Sequence, residues 1–149
     1  MNRALGLVAA GATFLLAGCV TPAPTTSAYE SKAGMTAQAA VSEGSTALVA
    51  TDAYLHDRMG SSYLETLLTE SEDSLGSVQD TFDSIQPPAT EGADALRNTL
   101  DPLLDEAGSA VTELRIAARR GRSDDLRAAA DDLSVVVHQL DAFGKKYAS

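Results

Sequence analysis

Cys19 is the sole cysteine among the 149 residues. Once deprotonated, its thiol is the best nucleophile the chain can offer. A lone cysteine can be an inert buried thiol, a reactive one or a site of covalent modification, and an internal disulfide is excluded. The other groups with chemical potential are His56 and His138, the adjacent acids Asp124-Asp125 and Asp131-Asp132, and the arginines Arg115, Arg119, Arg120, Arg122 and Arg127. Helical di-iron proteins need a Glu-x-x-His pair on each of two helices, and neither histidine here follows a glutamate by three. Placed on the helices inferred below, the histidines fall ~16 Å apart along the axis, too far to share one ion. No metal site is expected. Adjacent acids on a helix point ~100° apart, so each pair reads as a solvated face and not as an acid/base couple. Neither a Gly-rich phosphate loop nor a serine elbow occurs. The sequence offers no catalytic residue, and a non-enzymatic protein is expected.

Position decides the role of Cys19. Met1-Asn2-Arg3 is a short cationic start, and Ala4 through Leu16 is mostly apolar. Such a run suits a signal-peptide core and falls short of the ~20 residues that span a bilayer. It ends in Leu16-Ala17-Gly18-Cys19, which resembles the bacterial lipobox. The resemblance implies that residues 1–18 are a lipoprotein signal peptide and that Cys19 becomes the first residue of the mature chain. It also implies a thioether-linked diacylglyceryl group on that sulfur and, in some family members, a further acyl chain on the amine. Two chains at ~0.8 kcal/mol per buried methylene hold a protein stably on a membrane, where one chain gives reversible contact. No other cofactor is expected. Two alternatives stay open: secretion with cleavage after Ala28 in Thr26-Ser27-Ala28, and an uncleaved membrane anchor. Residues 20–28, VTPAPTTSA, carry two prolines and no charge and read as an extended spacer reaching ~28 Å in polyproline geometry. The resemblance thus implies that residues 19–28 are the lipidated cysteine and linker, and 29–149 are expected to form a single domain.

The formal net charge is −10. A surface this acidic repels nucleic acid and anionic headgroups, so nucleic acid is excluded as a partner and membrane contact falls to the lipid. Aromatics make up 5% of the chain and tryptophan is absent, leaving alanine and leucine to supply burial. That composition favours closely packed helices.

From Tyr29 onward the apolar residues recur at helical spacing. The last stripe is Leu126, Ala129, Leu133, Val136, Leu140, Phe143 and Tyr147; the third is Ala93, Leu96, Leu100, Leu103, Ala107, Ala110, Leu114 and Ala117; the second begins at Leu64 and ends at Ile85. The first is weaker, with Ala37, Val41, Gly44, Leu48, Leu55 and Met59 facing inward. Its small residues allow neighbouring helices to approach closely. Gly60 is expected to end the first helix, with Ser62 and Glu65 forming a capping box for the second. Pro87-Pro88 breaks the chain, Thr90 caps the third, Gly121 ends it, and Ser123 caps the fourth ahead of Asp124 and Asp125. Pro102 either kinks the third helix or splits it at Asp101, and the continuous stripe favours a kink. Four helices, roughly 29–59, 62–86, 91–120 and 124–147, joined by short loops, predict an all-α fold: an antiparallel up-down-up-down four-helix bundle.

In that arrangement the tether, the Pro87-Pro88 turn and Lys145-Lys146 face the membrane, and the turns at 57–62 and 119–124 point away from it. The five arginines cluster at the distal end. Cations at one helix C-terminus and anions at the next N-terminus satisfy helix dipoles, which accounts for much of this corner. It is also the candidate docking spot for an acidic envelope protein or an anionic polymer. The acids of the second helix, from Glu65 to Asp83, are expected to pair across helices with arginines, and the alternative is an acidic strip that faces a partner. The protein is thus expected on the extracytoplasmic side of a cell membrane, as an interaction or scaffold module. The alternative is a small-ligand sensor or carrier, binding near Pro102 and the small-residue first helix.

Overall fold

The computed structural model describes residues 23 and 25–147, so the leader, the lipobox and Cys19 lie outside the described residues. Among the described residues the protein is all-helical: α1 (Thr26–Leu55), α2 (Ser61–Asp83), α3 (Glu91–Arg119) and α4 (Ser123–Tyr147), with no strand. At 1.5 Å per residue the helices run about 35–45 Å, and none is long and apolar enough to cross a membrane. Each helix packs on its chain neighbours, and α1 also packs on α4 and on α3.

The helix boundaries follow from caps. α1 starts at Thr26, three residues before the expected Tyr29, because the Thr25 side chain accepts the Ala28 N–H and caps the first turn. The segment ahead of it is also tied down: the Ala23 N–H donates to the Gln86 carbonyl at 3.3 Å, and Ala23 is buried. The part of the presumed spacer that the structure describes therefore belongs to the folded domain.

α1 ends at Leu55, short of the expected Gly60. Asp57 adopts φ 56°, with Asp57 N–H to Tyr54 C=O at 3.0 Å and Arg58 N–H to Ala53 C=O at 2.8 Å. This is a Schellman closure with aspartate in the left-handed position that glycine usually fills. Gly60 instead precedes α2 as its N-cap, which has no side-chain cap bond; Ser62 lies inside the first turn, so the expected Ser62–Glu65 capping box does not form. α3 behaves as expected at both ends. Thr90 accepts the Ala93 N–H, and Gly121 at φ 63° closes the C-terminus, its N–H donating to the Ala118 carbonyl and that of Arg122 to the Ala117 carbonyl. The Leu126 N–H donates to the Arg122 carbonyl, so α4 starts at Ser123 itself, with Asp124 and Asp125 in its first turn.

α3 runs unbroken through Pro102, and the split at Asp101 does not occur. Proline removes the bond that its nitrogen would give to Asn98, and both residues are exposed, where water can replace that partner.

The core is aliphatic and dense in alanine. Leu64, Leu68, Leu100, Leu114, Leu133 and Leu140 are fully buried around it, and α1 contributes Ala33, Ala37, Ala40 and Ala47. On α3 the buried positions are Leu104 and Val111, while the expected Leu103 and Ala110 sit half-buried beside them. On α1, Val41 and Leu48 are likewise half-buried and the small residues point inward. A Cβ placed on Gly44 would lie 2.6 Å from Val137 Cγ2, and one on Gly144 would lie 2.9 Å from Gln38 Cγ. Glycine at these two positions lets α1 and α4 approach more closely than a methyl group would allow.

Candidate functional site

The arginine corner is built where α3 ends and α4 begins. Arg115 lies one turn before Arg119, so both face α2. Arg115 forms an ion pair with Glu72, which also accepts from Thr112 at 2.9 Å. Both Arg115 and Glu72 are about three-quarters buried, at 21% and 27% side-chain exposure. The Arg115 guanidinium beside Glu72 holds its carboxyl below the usual glutamate range, against an opposing push from burial. One turn further, Arg119 reaches Glu65 at 3.8 Å. The expected pairing of second-helix acids with arginines thus occurs, along a α2–α3 ladder that Gln79 and Asp105 extend at 2.6 Å.

Arg122 pairs with Asp125 at 2.7 Å and Arg127 with Asp124 at 3.1 Å, each within one turn of α4. Four of the five arginines singled out as a docking spot therefore sit opposite a carboxylate. Arg120 is exposed and makes no ion pair among the described residues. Exposed pairs of this kind contribute little to stability, but they largely cancel the local positive field. What remains for a partner is one arginine flanked by partly neutralised ones.

A cluster around Arg97, at the opposite end of α3, had little signal in the spacing of residues. The Arg97 Nε donates to the Tyr29 hydroxyl at 3.0 Å, and one terminal nitrogen donates to the Phe82 and Ile85 carbonyls at 3.3 and 3.1 Å. The same guanidinium lies 5.4 Å from the Phe82 ring centre, and that ring stacks on Tyr29 at 5.6 Å. One side chain thereby satisfies carbonyls at the end of α2 and fastens the start of α1 to α3. Nearby, Asp101 has one carboxylate oxygen buried without a hydrogen-bond partner among the described residues. Burial pushes its pKa up, against the pull of Arg97. Burial also raises the Tyr29 hydroxyl, again opposed by Arg97. The cluster acts as a clamp on the fold. The one available hint was an arginine directly beside the core residue Leu96.

The histidines are exposed and on different helices. His56 closes α1 and bonds to the Asp52 carbonyl at 2.8 Å, while His138 lies on α4. No group of three His, Cys, Asp or Glu residues converges as a metal site among the described residues. The adjacent acids diverge as helical geometry requires: Asp131 lines the seam between α1 and α4, and Asp132 the seam between α3 and α4. No protein family, curated protein or solved structure matches the chain.

Proposed function

We propose that the protein is a lipid-anchored component of the cell envelope, held on the extracytoplasmic side of a membrane, whose helical domain acts by binding and not by catalysis. The observation that carries this reading is Leu16-Ala17-Gly18-Cys19 at the end of a short apolar run. Acylation of Cys19 then supplies the membrane contact that an acidic surface cannot. Helix capping supports this cleavage site over one after Ala28. Cutting there would remove the Thr25 cap and place a charged amine on Tyr29, which is fully buried.

The domain is best read as an antiparallel up-down-up-down bundle. Supporting this, partners along α2 and α3 run in opposite order: Glu65 with Arg119, Glu72 with Arg115, Gln79 with Asp105, Phe82 with Arg97. Gly34 and Gln38 of α1 lie against Gly144 of α4, and Gly44 against Val137. The anchored end then comprises Ala23, the α2–α3 turn and Lys145-Lys146. Cys19 lies four residue steps ahead of Ala23, a reach of at most ~14 Å. With Ala23 bonded to Gln86, the domain stands close to the headgroups, and the ~28 Å spacer expected from sequence is shortened to about half. The arginine corner faces outward, with Arg120 as its most available cation.

Tight closure of α1 on α4 at Gly44 and Gly144 supports an interaction or scaffold role over a carrier that needs an internal cavity. Two measurements test the proposal. Cys19→Ser should abolish incorporation of labelled palmitate and release the protein from the membrane fraction; retention as firm as wild type refutes the anchor. Crosslinking in intact cells should recover an envelope partner, reduced by charge reversal at Arg119, Arg120 and Arg122 if the corner is used. Recovery of none refutes the interaction module.

A further inference from the structure

Resting on that interaction reading, we propose that the outer seam between α3 and α4 is a docking groove for a basic, amphipathic helical segment of a partner protein.

The groove holds about 520 Å³. Its floor is apolar, formed by Ala110, Ala129 and Val136, and at its lip stands Val135, an aliphatic side chain left 58% exposed. Its rim is acidic, with Glu106 and Glu113 on α3 and Asp132 on α4. The hollow continues past Ala117 and Ala128, where the only base, Arg122, is held by Asp125 at 2.7 Å. Among the described residues Glu106, Glu113 and Asp132 make no ion pair, whereas Glu65 and Glu72 of α2 both reach arginines. The rim charge is thus not used in holding the fold together.

Shape and charge together select the occupant. From Asp105 to Ala117 the seam runs about 18 Å, the length of roughly twelve helical residues or three turns. Two side-by-side helices leave a furrow suited to a third, read by anchors at i, i+3/i+4 and i+7. The floor of alanine and valine takes leucine- or alanine-sized anchors, and lysine or arginine on either flank meets the three acids. Nucleic acid and anionic lipid would be repelled by the rim. A second copy of this chain fits poorly, because it carries 21 acidic against 11 basic residues and most of its clustered arginines are already paired. A small polyamine would neutralise the rim but leave Val135 and the floor in water. The α1–α2 seam differs: its lining, including Ser42, Thr46, Val49, Met59 and Leu67, carries no charge and so selects no partner.

The test uses the full chain in nonionic detergent, with detergent alone as the blank. The probe is a fluorescein-labelled, lysine-flanked amphipathic peptide of about 18 residues, long enough to form a helix, compared with a scramble of equal composition. Anisotropy should show the amphipathic peptide binding at least tenfold tighter than the scramble. Raising salt from about 50 to 500 mM should weaken it about tenfold, because the rim contacts are screened. Hydrogen exchange should slow in 105–117 and 125–136. Combined Glu106→Lys, Glu113→Lys and Asp132→Lys should cost at least tenfold in affinity. Val135→Asp, which alters an exposed side chain and leaves the core intact, should cost at least threefold. Equal binding of the scramble, protection mapped to the arginine corner or to α1, spermine competing as well as the peptide, or either variant binding as wild type would overturn the groove. The interaction module fails separately, when crosslinking in cells recovers no envelope partner.

Discussion

Gly44→Ala should destabilise the domain, although alanine is the better helix former. The added methyl carbon would sit 2.6 Å from Val137 Cγ2 and 3.6 Å from Leu133 Cδ1. Carbon pairs are content near 3.5–4.0 Å, so the first contact demands a shift of about 1 Å. Val137 cannot yield by rotation, since a β-branched residue in a helix has one strongly preferred χ1. The helices must separate instead. Overpacking of this kind costs about 1–3 kcal/mol, and alanine returns about 1 kcal/mol in helix propensity. The net expectation is a loss of about 1 kcal/mol. Gly76 of α2 and Gly108 of α3 provide internal controls, because a Cβ on either would meet nothing within 4 Å. Gly76→Ala and Gly108→Ala should each stabilise by about 0.5–1 kcal/mol. Urea or thermal unfolding by circular dichroism should resolve a gap of roughly 2 kcal/mol between the two classes, or about 8 °C in Tm for a domain of this size. Val137→Ala should cost stability in the wild-type background and much less alongside Gly44→Ala, giving a coupling that a double-mutant cycle measures. If Gly44→Ala stabilises as Gly76→Ala does, the close approach of α1 and α4 is wrong.

Glu72→Gln should cost about 1–2 kcal/mol at pH 7, the worth of a hydrogen bond to a charged group. Arg115 lowers the Glu72 pKa from its ordinary 4.5, so this stabilisation is complete above that value and is lost as pH falls through the folded one; the gap between wild type and variant should close in acid melts. Asp101 has the opposite sign. Its raised pKa, from an ordinary 3.8, makes the ionised form a liability at neutral pH that is relieved as pH falls through the folded value and absent below the ordinary one. Asp101→Asn should therefore stabilise by about 1 kcal/mol at pH 7 and by nothing near pH 3, and a destabilised variant at pH 7 would contradict the burial argument. Arg97→Met removes three hydrogen bonds while keeping much of the packing, and should cost about 2–3 kcal/mol. Hydrogen exchange should then quicken first in 26–33 and 82–90; uniform quickening across α4 would argue against a local clamp.

Helical character and the chain breaks were legible because each has a local cause. Thr90 and Gly121 cap α3 through short-range bonds, and the leucine spacings of α2 and α4 specify their buried faces directly. The end of α1 was misread for an equally local reason: Asp57 takes the left-handed position, and aspartate signals it less clearly than glycine does. The arginines and their pairing with acids of α2 were legible as a group, but which acid meets which arginine was not, because Glu65 and Glu72 lie far from Arg119 and Arg115 in the chain. Arg97 was harder still. Its three oxygen partners come from two other segments, and no spacing rule links it to Tyr29.

By itself the sequence determined four helices and their main breaks, because propensity and capping act through neighbouring residues. Only the tertiary structure decided which flank of each stripe is buried, as with Leu104 over Leu103. Adjacent positions on a helix differ by ~100°, and the choice between them depends on the neighbour's shape. The same holds for α1, whose alanines and glycines offer little contrast in hydropathy between faces. Its orientation is set by volume, in the space that Val137 leaves for Gly44 and that Gln38 leaves for Gly144.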